Sequence, residues 1–144
     1  MANNDLNHSE IDKALIKFKQ AKYQDVIQIL ENIGEKNLNF LACWYLGHSY
    51  FRIYDYKAAV KYIKKSIELK GSDELNQSFL GEILLQSNQY KESTKIFKSI
   101  IKLNQKNLNS LFNLGNICAQ EGDFKEAENY YLKILKIEPN NFEA

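Results

Sequence analysis

Leu46-Gly47, Leu80-Gly81 and Leu114-Gly115 stand at intervals of 34 residues in a chain of 144. Tyr56, Tyr90 and Phe124 keep the same interval, as do Ala59, Ser93 and Ala127. So do Ile63, Phe97 and Tyr131, and Leu69, Leu103 and Ile137. Agreement of several registers across three copies marks an internal repeat. Such a period means stacked supersecondary units, each burying its apolar face against the next.

Within a unit the apolar spacing is helical. In the last copy Leu111, Leu114, Cys118 and Ala119 fall at three- and four-residue steps and form one stripe. Gln120-Glu121-Gly122-Asp123 breaks it, and Asp123 with Glu126 makes a helix start of the capping-box kind. Ala127, Tyr131, Ile134, Leu135 and Ile137 form a second stripe, which Pro139 ends; Asn140-Asn141 can cap a further helix. The pattern predicts paired helices with breaks near 21–22, 53–55, 87–89 and 121–123. Gly47, Gly81 and Gly115 each lie inside a helical stretch, where glycine costs about 1 kcal/mol relative to alanine. Paying that cost at one place in three units points to a steric cause. Two helices approach there too closely for a side chain.

These motifs resemble the tetratricopeptide repeat family, whose pattern runs Trp-x2-Leu-Gly-x2-Tyr, Ala-x3-Phe, Pro. The last copy supplies Leu111, Leu114-Gly115, Cys118, Ala127, Tyr131 and Pro139. The second supplies Leu46-Gly47, Tyr50, Ala59 and Ile63, with Gly71 at the proline place; the third supplies Leu80-Gly81, Leu84, Ser93 and Phe97, with Gln105 there. Trp44 comes one residue late for the motif tryptophan and is expected to face another way. A weaker first copy matches at Ala14, Tyr23, Val26 and Leu30 if one residue is missing from its end, with Lys13 and Lys17 where leucine and tyrosine are expected. The resemblance implies an all-α, right-handed solenoid of about four antiparallel helix pairs. It makes 1–144 a single repeat domain, with units near 7–39, 40–73, 74–107 and 108–141.

Composition narrows the function. Net charge is +1, and Arg52 is the only arginine, so no basic face suits phosphate and no nucleic-acid partner is expected. The first residues show neither a basic stretch nor an apolar one, so no signal peptide is expected, and no apolar run is long enough for a membrane span. Cys43 and Cys118 are widely separated, which fits a reducing compartment, and the cytoplasm is expected. His8 and His48 are too far apart for a helical metal pair, and the glycines are dispersed rather than gathered in a phosphate loop. No cofactor, metal or catalytic group is expected, and the chain reads as a non-enzyme. Lys57, Lys61, Lys64, Lys65, Lys91, Lys95 and Lys98 read as a solvated outer face.

In the family this sequence resembles, the first helix of each unit lines a concave groove that holds peptides. By that geometry the groove receives Tyr45, His48 and Arg52, then Phe79, Glu82 and Gln86, then Asn113, Asn116 and Gln120. Trp44, Ser78, Asn109 and Phe112 flank them, and the asparagines are expected to hold peptide amides. Repeats that capture acidic chaperone C-termini carry lysine and asparagine on one first helix, asparagine on the next, then lysine and arginine; here those places read Trp44 and His48, Phe79, and Asn109 and Asn113, so that ligand is not expected. Protein O-GlcNAc transferases line their repeats with an asparagine ladder; only Asn113 matches a rung.

The resemblance thus implies a protein-protein interaction scaffold with a protein or peptide ligand. The alternative is a docking or spacer segment of a larger enzyme, such as a glycosyl- or sulfotransferase, of which 1–144 would be the N-terminal part. A third reading is self-association through the C-terminal face. Residues 141–144 fall where a further helix would begin, and Tyr130 and Leu135 are expected to lack a covering partner.

Overall fold

The computed structural model describes residues 2–139. The helices are α1 (Ala2–Lys19), α2 (Tyr23–Ile33), α3 (Phe40–Arg52), α4 (Tyr56–Lys70), α5 (Glu74–Gln86), α6 (Tyr90–Leu103), α7 (Leu108–Gln120) and α8 (Phe124–Ile137), with one 3-10 turn at Glu35–Asn37. No strand occurs among the described residues. All four predicted breaks are present, and α1 reaches back beyond Asn7 to Ala2. Asn140 and Asn141, read above as a cap, lie outside the described residues.

The breaks share one construction. Ala21, Tyr54, Asn88 and Gly122 all have positive φ, at 57°, 66°, 62° and 82°. The following amides of Lys22, Asp55, Gln89 and Asp123 donate to Lys17, Tyr50, Leu84 and Cys118 carbonyls at 2.8–3.0 Å. That is the Schellman C-cap, which reverses the chain over three residues and satisfies the orphan carbonyls. Asx side chains start most of the helices: Asn39, Asp73 and Asn107 accept from Ala42, Asn76 and Ser110 amides at 2.7–2.8 Å. Asp55 and Asp123 do the same for α4 and α8.

Only one of the four left-handed positions is glycine, and a bulky side chain is costly there. Tyr54 is 78% exposed, so little packing offsets its strain. Tyr54→Gly is therefore expected to stabilise the chain by about 0.5–1 kcal/mol, net of the entropy glycine adds to the unfolded state. Tyr54→Ala keeps the strain and serves as the comparison in urea melts. A Gly variant no more stable than the Ala variant would show that Tyr54 is not strained.

The chain divides into two compact units, Met1–Asn76 and Gln77–Ala144. In the first, α2 packs on α1 and α3, and α4 on α3. Their core contains Ala14, Val26, Leu30, Ala42, Cys43 and Leu46, each fully buried. Cys43 occupies the motif tryptophan's place, which leaves Trp44 half-buried and turned from the core. The Tyr50 hydroxyl donates to Glu31, tying α3 to α2, while the Tyr50 ring stacks on Tyr62 with centroids 5.6 Å apart.

In the second unit α7 packs on α6 and α8 around Phe97, Ile100, Leu111, Leu114, Ile117, Tyr130 and Ile134. Tyr130 corrects an expectation: it is only 5% exposed without any further unit. It packs into this core, and the Lys133 ammonium lies 5.3 Å from its ring centroid. Leu135, at 36%, stays exposed.

The mid-helix glycines are contact notches. A Cβ on Gly47 would lie 2.5 Å from Ile63 side-chain atoms, one on Gly81 2.8 Å from the Phe97 ring, and one on Gly115 2.6 Å from the Tyr131 ring. Each glycine meets the residue sixteen places on, in the second helix of its own unit. Ser93 stands where the other copies have alanine, and its buried hydroxyl donates to the Gly81 carbonyl at 2.8 Å.

Candidate binding surfaces

In the first unit the helical step from Tyr45 to His48 to Arg52 sets the three side chains along one face of α3, where Trp44 adjoins them. Phe18 from the end of α1 completes the group. Its ring centroid lies 5.0 Å from Tyr45, 6.1 Å from Trp44 and 6.2 Å from His48. Trp44 and His48 approach to 3.8 Å, Trp44 and Tyr45 to 5.2 Å. None of these rings is fully buried, so they form a wall of aromatic area that still reaches solvent. Arg52 is exposed, its guanidinium 5.9 Å from the Tyr23 ring centroid.

Burial, with a smaller contribution from the Arg52 charge, pushes His48 down to about 4. The imidazole is thus a neutral ring at ordinary pH. Arg52 supplies the positive charge beside it.

In the second unit the first helices carry a set of linked amides beside the rings of Phe79 and Phe112. Asn109 on α7 donates through its Nδ2 to Glu82 Oε1 on α5 at 2.8 Å. Asn113 donates through its Nδ2 to the Asn109 carbonyl at 3.0 Å and to Asn109 Oδ1 at 2.7 Å. Both amide protons of Asn113 are thereby engaged, and the residue is only 9% exposed. Asn116 accepts the Tyr131 hydroxyl at 2.6 Å across the Gly115 notch. Phe112 is 47% exposed beside Tyr131, Phe79 is half-buried, and Gln86 and Gln120 are exposed.

The sequence reading named the α3 residues of the first face but not Phe18. In the second it treated Asn109 as a flank, whereas Asn109 links Glu82 to Asn113. Burial pushes both cysteine thiols up, away from reactive thiolate. Among the described residues no group of three histidine, cysteine, aspartate or glutamate side chains is arranged to hold a metal. No described helix is long and apolar enough to cross a membrane.

Two family models, both described as tetratricopeptide repeat, match the chain, one at 42–73 and 78–107 and the other at 109–141. Together they span more than half of it. No curated protein matches the sequence. Among solved structures, MamA from MSR-1 is similar at a TM-score of 0.75 and 21% identity, covering 93% of this chain and 78% of that one. A further MamA crystal structure gives 0.83 and 18%, covering 98% and 76%. YrrB, described as a TPR protein with an unusual peptide-binding site, gives 0.78 and 18%, covering 89% and 66%. At such identities the likeness is one of fold. Three consecutive family matches coincide with the helix pairs, their Schellman turns and their glycine notches, and on these grounds the chain belongs to the tetratricopeptide repeat family.

Proposed function

We propose that this interaction scaffold holds an extended segment of a partner protein against the first-helix face of its unit Met1–Asn76. The observation that carries the reading is the open aromatic wall of Phe18, Trp44, Tyr45 and His48. Contiguous ring area left in contact with water is a feature of interaction sites, because covering it by an apolar side chain is favourable. Arg52 beside the wall suits a carboxylate on the same ligand. In the second unit Glu82 and Asn109 offer carboxylate and amide oxygens to backbone N–H groups, while the buried Asn113 holds Asn109 in position. The reading gives the chain no catalytic role.

Trp44 is the only tryptophan and a built-in reporter. Peptides selected from a random displayed library are expected to shift its emission on binding. Tyr45→Leu with Arg52→Ala keeps the reporter and should weaken binding about tenfold or more, with the helical circular dichroism retained. Selected peptides that bind this variant as tightly as the native chain would move the site off the α3 face.

A further inference from the structure

We propose a second docking surface on the unit Gln77–Ala144, for an acidic peptide segment of a partner protein that carries apolar side chains between its carboxylates. The surface is a cavity of about 550 Å³ lined by Ile101 of α6, Leu111 of α7, Ile137 and two lysines of α8, and the α6–α7 connection. Leu111 is buried and Ile101 and Ile137 are half-buried, which gives an apolar floor. Lys106, Lys133 and Lys136 form the rim, all three exposed. No carboxylate belongs to the lining, and among the described residues none of the three ammonium groups is in an ion pair.

A few lysines elsewhere in the chain are offset by carboxylates: Lys61 pairs with Glu35, Lys17 with Asp25 and Lys70 with Asp73. The rim lysines instead surround apolar area, and Lys133 is held in place by its own ring contact with Tyr130 at 5.3 Å. Uniform positive charge around a hydrophobic floor is complementary to an apolar side chain flanked by acidic ones. A basic segment would be repelled by the rim, and a neutral one would leave three charges without partners. The surface uses none of the residues given to the aromatic wall or the amide network.

The test uses fluorescence anisotropy of the full chain with a labelled synthetic peptide in which two leucines are set between pairs of glutamates. Binding is expected, and it should weaken as salt is raised. Lys106→Ser with Lys133→Ser and Lys136→Ser should lose about tenfold or more in affinity. Lys91→Ser with Lys95→Ser and Lys98→Ser removes the same charge elsewhere on the unit and should lose much less. Ile101→Ser, with the rim intact, should also weaken binding. Tyr45→Leu with Arg52→Ala should leave this affinity unchanged, so failure here and failure of the first-helix reading are separable. A leucine-free glutamate peptide that binds equally well would reduce the effect to diffuse attraction and overturn the proposal. A chain ending at Pro139 that binds about tenfold more tightly than the full chain would give the cavity to the protein's own C-terminal segment, which also overturns it.

Discussion

Gly81→Leu will unfold at lower urea than the native chain, by roughly 1–3 kcal/mol. Helix propensity alone predicts the opposite sign, since leucine is the better helix former by somewhat under 1 kcal/mol. Geometry decides between them. The added Cβ would lie 2.8, 2.9 and 3.1 Å from three atoms of the Phe97 ring. That ring is fully buried, so no rotamer carries it out of the way. Gly47→Leu should cost at least as much, because its Cβ also meets the Ile63 backbone nitrogen at 3.3 Å. Gly115→Leu should cost less: Tyr131 is half-buried and can swing out, at the expense of its bond to Asn116. Gly122 has φ of +82° with nothing within 4 Å of a Cβ, so Gly122→Leu isolates backbone strain from crowding. A raised urea midpoint for Gly81→Leu would refute the notch.

The notch was readable in the sequence because its cost repeats: a mid-helix glycine at one register in three units needs a cause outside its own helix. The helices and their breaks were readable for the same reason. The first unit was harder, because α2 begins thirty-three residues before α4 rather than thirty-four. Its α1 core comes from Ile11, Ala14 and Phe18, and Lys17, at a motif tyrosine position, instead pairs with Asp25. Phe18 was missed for that reason.

The Asn113–Asn109 pair follows from four-residue helical spacing, but the hydrogen bonds from Asn109 to Glu82 and from Tyr131 to Asn116 depend on distances near 3 Å between helices, which no spacing rule supplies. One of them did leave a trace. Tyr131 carries a hydroxyl where Ile63 and Phe97 have none, and the Gly115 notch brings it against α7, beside Asn116. A tyrosine facing a glycine notch needs a hydrogen-bond partner close by, and the next residue along the first helix is the natural one.

Acidification will destabilise the native chain more than a His48→Gln variant. The imidazole ordinarily titrates near 6.5, and burial first, then Arg52, lowers it to about 4 in the fold. Between those values the unfolded chain binds a proton that the folded chain refuses. The contribution is therefore fully present above pH 6.5 and is lost as pH falls towards 4. Unscreened, that gap corresponds to about 3 kcal/mol; the ring keeps some exposure, so on the order of 2 kcal/mol is expected. Lys61 holds the Glu35 carboxyl below its usual range, so that pair also weakens in acid, and the comparison with the variant removes its share. Urea midpoints at pH 7 and 4.5 measure the difference, and parallel losses in the two chains would refute a buried neutral ring. The same protonation state governs the aromatic wall. His48 adds no charge beside Trp44 between pH 8 and about 6, so peptide affinity at that face should be flat over this range and fall only as the ring is forced to charge.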